Sequence, residues 1–336
     1  MKEFVMLFFH ILFFTCVTIA SAKRIRTWYV MPDDGGHGIH LVNMLRRARQ
    51  NDVPSIESNV TLYLYARNND TSVIDCDNIG GFDSKWPTVM LAHGWMSKSS
   101  DLDHIKNAYL TAGDYNVISI DWSPIASNAA YDQVREDLVI VGQFVAKFVD
   151  CLVEIHGLNL SITHLVGHSL GAHVVGVIGG SLSQQNKVAL ITGLDPAGPG
   201  YDDNENPENE KMLDQEDAEF VQVIHTNAGV LGYKYTLGDA DFFPNGGSEQ
   251  PGCDTDDYGA CSHGRSTLYF AESVTSASAF IGYQCDSWDT CTNCNGKPSA
   301  VMGAHVDPST TTGVYYLSTA SSSPYGLGVQ GCPQVM

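Results

Sequence analysis

The pentapeptide at residues 167–171, GHSLG, is the part of the sequence best suited to chemistry. It has the pattern GxSxG, in which a serine stands between two glycines that let neighbouring segments approach closely. The apolar run before it predicts a strand, and the following run predicts a helix over 170–180. A sharp strand-to-helix turn projects the serine hydroxyl above the sheet edge, at a helix N-terminus whose dipole favours negative charge. The sequence therefore predicts a nucleophile at Ser169.

A serine hydroxyl is a weak nucleophile unless a base accepts its proton and an acid orients that base. On a strand–turn–helix elbow these three residues follow in the order Ser, Asp, His. Asp195 comes directly after the apolar run ALITGL, so it lies at the carboxyl end of the next predicted strand. A turn-capping aspartate is the alternative interpretation. The acid-rich stretch 202–219 offers rival acids, but it is more typical of a solvated loop.

Three of the twelve histidines follow Asp195 in the chain and are candidates for the base: His225, His263 and His305. His225 ends a predicted strand and is equally compatible with a buried core histidine. His305 lies in a Gly- and Ala-rich stretch that resembles a strand. His263, within CSHGRS, is predicted to lie in a loop that Cys261 anchors and a glycine keeps flexible. We favour His263.

The developing oxyanion needs two backbone N–H donors, one from the residue after the nucleophile and one from an early strand-to-helix loop. Leu170 is the first of these. The tripeptide HGW at residues 93–95 follows the apolar run 86–92, which makes Trp95 the natural second donor. A plain turn at the end of a strand is the alternative interpretation.

The elements that must position these residues are visible as apolar periodicity. Seven apolar residues from Val134 to Ile155, spaced by three and four, predict a long helix. Strands separated by helices predict a mostly parallel sheet. Residues 23–60 are expected to be irregular, and those after about 230 to be disulfide-linked loops with terminal strands. The predicted strands cover 60–66, 86–92, 115–121, 161–166, 189–194 and 219–224.

Residues 1–22 have the composition of a secretory signal peptide, with Lys2 before an apolar run and ASA at its end. The run is short for a membrane anchor, and no other stretch approaches about 18 uncharged apolar residues. The sequence therefore predicts a secreted, extracellular protein without a transmembrane segment. Because no linker is visible, residues 23–336 are predicted to form one domain.

Removal of Cys16 with the signal peptide leaves eight cysteines, an even number that predicts disulfides in a secreted chain. A zinc site is disfavoured because the cluster near the end lacks paired CxxC units. Asn59, Asn69 and Asn159 begin N-glycosylation triplets, which agrees with secretion. The candidates for disulfides, whose pairing these spacings leave open, are Cys76, Cys151, Cys253, Cys261, Cys285, Cys291, Cys294 and Cys332.

The formal net charge of −20 narrows the classes of partner. Nucleic-acid binding requires clustered cations and is therefore excluded. Docking through a polybasic patch on an anionic membrane is disfavoured for the same reason, whereas binding through an apolar surface remains open.

Taken together, these motifs resemble the pancreatic-lipase-like family of secreted animal lipases and phospholipases A1. The resemblance extends over about residues 60–320. It implies an α/β-hydrolase fold with helices on both faces of the sheet and the triad Ser169, Asp195 and His263. The matching blocks, in family order, are GHSLGAH at 167–173, GLDPAGP at 193–199, VIHTNAG at 223–229, DFFPNGG at 241–247 and CSHGRS at 261–266.

The same resemblance assigns roles to further residues. It implies that the N–H groups of Trp95 and Leu170 form the oxyanion hole. It also implies that Cys76 pairs with Cys151. The family's calcium position maps onto Asp214 and Asp217, but neighbouring residues depart from the family pattern, and a solvated acidic segment is the alternative. We therefore expect no required cofactor, with structural calcium as the weaker expectation.

Two departures from the larger family members bear on function. About 70 residues follow His263, so we expect no C-terminal β-sandwich domain and no colipase-type partner. The family's lid corresponds to the seven residues between Cys253 and Cys261, which the resemblance pairs and which include Asp254 and Tyr258. The loop 227–240 also looks short. Short versions of both loops resemble the insect phospholipase A1 branch, including venom enzymes.

A short polar lid cannot cover a groove long enough for three acyl chains, so an open site for a phospholipid is expected. The leading hypothesis is a phospholipase A1 that releases the sn-1 acyl chain at a lipid–water interface. A neutral triacylglycerol lipase or a galactolipase is the alternative enzyme. A catalytically silent lipid-binding or yolk-type protein is the alternative from another class, disfavoured because all three triad positions hold competent residues.

Overall fold

The computed structural model describes residues 28–32, 38–43, 55–67, 71–183, 187–201, 212–253 and 257–333. The predicted signal peptide at 1–22 lies outside these residues, as do Asn69 and Asp254. Among the helices within these ranges, none combines the length and the apolar character needed to cross a bilayer.

The described residues form thirteen strands and five α-helices. The helices are α1 Asp103–Ala112, α2 Ser123–Ala126, α3 Tyr131–His156, α4 Leu170–Gly180 and α5 Ala260–Thr275. The strands are β1 Trp28–Pro32, β2 Ile39–Asn43, β3 Thr61–Tyr65, β4 Thr71–Ile74, β5 Thr88–Ala92, β6 Asn116–Asp121, β7 Thr163–His168, β8 Leu190–Leu194, β9 Val221–Ile224, β10 Ala240–Pro244, β11 Ile281–Gln284, β12 Ser299–Val301 and β13 Gly313–Leu317.

Eleven of these strands form one sheet in the order β12-β11-β13-β10-β9-β8-β7-β5-β6-β3-β4. The seven strands from β13 to β6 are mutually parallel, and antiparallel strands flank them at both edges. The predicted α/β class with a mostly parallel sheet is confirmed. The carboxyl ends of β5, β7, β8 and β9 therefore meet along one edge, where loops from adjacent strands can build a site.

Helices cover both faces of the sheet, as predicted. Met90 and Ala92 of β5 belong to the apolar cluster that includes residues of α3 and α4. Val89 and Leu91 of the same strand belong to the cluster that includes residues of α1 and α5. Because successive strand side chains point to opposite faces, continuous apolar runs such as TVMLA are buried on both sides.

The strands predicted in the first two thirds of the chain are present, with ends shifted by up to two residues, and α3 follows the predicted apolar stripe. The prediction of irregular structure over 23–60 is wrong at 28–32 and 39–43, because β1 and β2 form an antiparallel two-stranded sheet. Its inner face is apolar and buried at Met31 and Val42. Alternation over only five residues per strand is too short to stand out in the sequence.

The prediction of loops and strands after about residue 230 missed α5. The buried residues in the N-terminal half of this helix are all polar and include Ser262 and Ser266, whereas Tyr269, Phe270 and Val274 are buried in its C-terminal half. Its apolar stripe therefore covers only half of the helix, which is why hydrophobic periodicity failed to reveal the helix.

All eight candidate cysteines are paired. The two pairs implied by the family resemblance are confirmed. The other two pairs establish the partners of the four remaining cysteines, which the spacings did not determine. The bonds are Cys76–Cys151, Cys253–Cys261, Cys285–Cys291 and Cys294–Cys332.

Candidate active site

The turn between β7 and α4 is a strained elbow. Ser169 has φ 56° and ψ −123°, a backbone conformation that non-glycine residues rarely adopt. The two glycines of GxSxG make the turn possible. A Cβ at Gly167 would lie 2.1 Å from the carbonyl oxygen of Gly171, and one at Gly171 would lie 2.2 Å from that of Ala92. The predicted strand-to-helix elbow is confirmed, and it lies against the end of β5.

Main-chain hydrogen bonds join this elbow to the end of β8. The Ser169 N–H donates to the Leu194 carbonyl at 3.1 Å, and the Ala197 N–H donates to the Ser169 carbonyl at 3.2 Å. Asp195 lies between these two partners in the chain. The elbow and the candidate acid are therefore held together by backbone bonds on either side of the acid.

The carboxylate of Asp195 is fully buried and has three donors. Its Oδ1 accepts from the N–H groups of Thr226 at 2.8 Å and Asn227 at 3.0 Å. Its Oδ2 accepts from Nδ1 of His263 at 2.5 Å. A Cβ at Gly232 would lie 2.4 Å from Oδ1, so only a glycine fits there. These contacts fix the direction of the carboxylate and offset the cost of burying it.

His263 lies in the first turn of α5, and the prediction that it lies in a flexible loop is wrong. Its N–H donates to the Gly259 carbonyl at 2.8 Å. The Asp257 carboxylate accepts from the N–H groups of Gly259 at 2.9 Å and Cys261 at 2.8 Å. Together with the Cys253–Cys261 disulfide, this carboxylate supports the first turn, so a rigid element carries the candidate base.

The imidazole orientation follows from the contact with the acid. Because Nδ1 of His263 donates to Asp195, Nε2 points to the opposite side of the ring, as a general base requires. The ring of His168, the residue before Ser169, packs against the His263 ring with centroids 4.6 Å apart. Ser169 and His263 are both buried. The predicted base and acid are thus in contact, next to the elbow.

The predicted oxyanion donors lie at the same sheet edge. Leu170 is the first residue of α4, where a backbone N–H has no acceptor within its own helix. Trp95 is buried, and its indole N–H donates to the Asn128 carbonyl at 2.9 Å. His93 fixes the HGW turn, because its Nδ1 donates to the Gly94 carbonyl and its Nε2 accepts from the Trp122 N–H.

The segment predicted to act as the lid is a short loop closed by Cys253–Cys261. Residues 257–260 of this segment are described, and Ala260 already belongs to α5. Tyr258 is half exposed and has φ 56°.

The calcium candidates cap a short 3-10 turn. The Asp214 carboxylate accepts from the Glu216 N–H at 2.6 Å, and the Asp217 carboxylate accepts from the Asp214 N–H at 3.0 Å. Burial raises the pKa of Asp217 to about 7. The two carboxylates therefore bind main-chain donors of this turn.

The glycosylation candidates in the described ranges differ in exposure. Asn159 is exposed, and its Oδ1 accepts from the Ser161 N–H. Asn59 is half-buried, and its side-chain amide donates to the Ser55 carbonyl at 2.8 Å. Glycosylation stays a prediction at both.

The two alternative histidines lie in other surroundings. His225 is fully buried and pairs with Asp241 at 2.8 Å, which confirms the core-histidine interpretation. Nε2 of His305 donates to the Val274 carbonyl at 3.1 Å. Neither has the Asp195 contact that His263 makes.

Several residues of the site were not assigned from the sequence. Thr226 and Asn227 act through backbone N–H groups, which their side chains do not reveal. Gly232 acts through its lack of a side chain, and His168 precedes Asp195, so the chain order disfavours it as the base. The block VIHTNAG, which contains two of these residues, was the available signal, although it did not indicate their roles.

Comparison with known proteins agrees with this geometry. The family described as Lipase matches residues 40–325. This chain belongs to the lipase family. Within it, the chain is 34% identical over 274 residues to Lipase member H of Oryctolagus cuniculus, covering 76% of this chain and 59% of the relative. It is 34% identical over 277 residues to Pancreatic triacylglycerol lipase of Myocastor coypus, covering 74% and 59%.

The chain thus spans about three fifths of the length of these lipase-family relatives. Among solved structures, a sugar hydrolase from Lactococcus lactis is 15% identical, with a TM-score of 0.33, covering 53% of this chain and 68% of that chain.

Proposed function

We propose that this lipase-family chain is a secreted serine carboxylic-ester hydrolase that acts on lipids, with phospholipase A1 activity. The observation that carries the proposal is the 2.5 Å hydrogen bond between His263 Nδ1 and Asp195 Oδ2, buried beside a strained GxSxG elbow. A buried His–carboxylate pair next to a serine at such a turn is the arrangement of nucleophilic acyl transfer.

The reaction follows from the roles of these groups. The Ser169 hydroxyl attacks the sn-1 acyl carbonyl while Nε2 of His263 accepts its proton. Asp195 stabilises the imidazolium that forms, and the N–H groups of Leu170 and Trp95 stabilise the oxyanion. His263 then protonates the leaving glycerol oxygen. A water molecule, activated by the same imidazole, hydrolyses the acyl-enzyme and releases the fatty acid.

The short loop closed by Cys253–Cys261 supports phospholipid as the substrate class. Its described part is held by main-chain bonds to Asp257 and leads directly into α5, so it cannot extend over a long groove. A site with little cover admits a polar headgroup, whereas a long apolar groove in water needs a lid.

One observation favours triacylglycerol lipase activity as the second candidate. A relative covering 74% of this chain is named Pancreatic triacylglycerol lipase. The catalytic residues are shared by both activities, so only substrates separate them. A silent lipid-binding protein has less support, because it has no use for a histidine oriented by a buried carboxylate.

The test uses phosphatidylcholine with palmitate at sn-1 and oleate at sn-2, and triolein emulsions as the second substrate. We expect palmitate and the sn-2 lysophospholipid as products, with slower release from triolein. Ser169→Ala is expected to lower turnover at least about 10³-fold. Comparable rates on both substrates would overturn the phospholipase assignment, and turnover by Ser169→Ala would overturn the mechanism.

We also propose that residues 1–22 are a cleaved signal peptide and that 23–336 form one catalytic domain. Four disulfides support folding in an oxidising compartment. Expression in insect cells should give a chain in the medium that begins at Lys23 and shifts in mass on N-glycosidase treatment. Retention in the cell with an uncleaved N-terminus would contradict secretion.

A further inference from the structure

Helix α5 packs across strand β7 through two histidines of that strand. His164 and His168 are four residues apart, so their side chains lie on the same face. The His164 ring meets Phe270 of α5 edge-on with centroids 5.7 Å apart. The His168 ring meets His263, one helix turn from the start of α5, with centroids 4.6 Å apart. The strand therefore contacts the helix at one point remote from the site and one point within it.

The two histidines differ in what they bind. Nε2 of His164 forms a hydrogen bond with the Thr192 hydroxyl at 2.7 Å, on the neighbouring strand β8. Burial lowers the pKa of this histidine to about 3, so it is neutral. Nε2 of His168 instead donates to the main-chain carbonyl of His263 at 3.2 Å. Of these two hydrogen bonds, only that of His168 is made with the backbone of the proposed base, His263.

The His263 carbonyl receives further side-chain donors. Ser266, on the next turn of α5, donates its hydroxyl at 3.0 Å. Thr226 donates its hydroxyl at 3.4 Å, and the N–H of the same residue binds Asp195. Donors from the elbow, from the loop that holds the acid and from the helix itself thus converge on one carbonyl oxygen. A helical carbonyl needs no such set of donors, so the convergence fixes this point of α5.

We propose that His168 is a positioning residue, whose Nε2–H holds the His263 backbone at a fixed place relative to Ser169. This inference rests on the proposed function, because it assumes that Ser169 and His263 react together. Asp195 fixes the rotation of the imidazole, whereas His168, adjacent in the chain to the nucleophile, fixes the backbone that carries the ring. A displacement of about 1 Å in such an arrangement can cost about 10²-fold in rate.

The test compares His168→Phe with His164→Phe, two buried aromatic replacements on the same strand face. We measure the rate constant for reaction of Ser169 with a fluorophosphonate, and kcat and KM on a soluble p-nitrophenyl ester. His168→Phe is expected to lower the labelling rate and kcat about 10-fold or more, with KM within about threefold. His164→Phe is expected to lower the melting temperature while keeping kcat within about twofold.

Rescue separates positioning from packing. His168→Gln returns an N–H donor at similar reach, so it should recover most of the lost kcat. Equal kcat losses in the two phenylalanine variants, or a glutamine variant as slow as His168→Phe, would overturn the proposal. If His168→Phe does not fold, His168→Leu takes its place in the comparison. A kcat of His168→Gln that is no higher than that of His168→Leu would then overturn the proposal. Wild-type enzyme that does not label at Ser169 would refute the proposed function instead.

Discussion

Two buried histidine–carboxylate pairs lie near the ends of neighbouring strands of the sheet. They differ in which ring nitrogen of the histidine contacts the carboxylate. In one, Nδ1 of His263 meets Asp195 at 2.5 Å. In the other, Nε2 of His225 meets Asp241 at 2.8 Å. Residue types, burial and distance are nearly the same, so these properties alone do not distinguish a base from a structural histidine.

The second ring nitrogen makes the difference. Nδ1 of His225 donates to the Tyr233 carbonyl at 3.2 Å, and the ring stacks on Phe243 with centroids 4.2 Å apart. Both nitrogens of this ring therefore face acceptors inside the protein. His263 directs Nδ1 at its acid and turns Nε2 to the other side, where a proton can be taken and returned. The identity of the ring nitrogen that contacts the carboxylate thus says more about the role of the histidine than the presence of the contact does.

Neutralising each carboxylate in turn is the strongest test of the difference between the two pairs. Asp195→Asn should lower kcat about 10³-fold or more, because an amide neither holds the required tautomer nor stabilises the imidazolium. Asp241→Asn should keep kcat within about tenfold of wild type while lowering the free energy of unfolding by about 3–5 kcal/mol, since it disrupts a buried pair. Ester hydrolysis and urea unfolding measure the two effects. Equal losses of kcat would show that both pairs, or neither, serve the reaction.

A smaller effect is expected at Gly232, which lies against the carboxylate of the active pair. In Gly232→Ala the added Cβ would lie 2.4 Å from Asp195 Oδ1, so the carboxylate must move and carry His263 with it. We expect kcat to fall about tenfold. Gly264→Ala is the matched control, because a Cβ beside His263 at that position meets nothing within 4 Å. An unchanged kcat in Gly232→Ala would mean that the carboxylate tolerates displacement.

The smallest effect concerns Asp217, a half-buried acid whose carboxylate accepts a hydrogen bond from a main-chain N–H rather than from a histidine. Burial raises its pKa to about 7 from an ordinary value of 3.8, so the folded state holds its proton more tightly. Its contribution to stability is therefore complete below about pH 3.8 and is lost as the pH rises through about 7. Asp217→Asn should reduce the fall in melting temperature between pH 5 and pH 8.

This measurement is made in EDTA with activity at pH 8 as the control, and activity should be unchanged. Equal pH dependence of the melting temperature in wild type and variant would show that Asp217 does not release a proton between pH 5 and pH 8. It would also remove the contrast between this acid and the two acids that pair with histidines.

The elbow and its neighbours could be predicted from the sequence because apolar runs encode them directly. The strands TVMLA and THLVGH are buried on both faces, and the glycines of GxSxG have a backbone role that only glycine can fill. The position of Asp195 can be predicted by the same logic, since it comes directly after such a strand.

What could not be predicted depends on backbone atoms and on polar packing. The amides that hold Asp195 belong to Thr226 and Asn227, whose side-chain types do not encode that role. The N-terminal half of helix α5 buries serines and a histidine in place of apolar residues, so the sequence predicts a loop at His263. The opposite orientations of the His225 and His263 rings are set by tertiary contacts and leave no trace in the spacing.

The central claim, that Ser169 is activated by His263, is tested most directly by mapping a fluorophosphonate adduct in wild type, His263→Ala and His225→Gln. We expect the adduct on Ser169 in wild type, at least about 10³-fold slower labelling in His263→Ala, and labelling within about tenfold of wild type in His225→Gln. An adduct on another residue, or undiminished labelling of Ser169 in His263→Ala, would contradict the account.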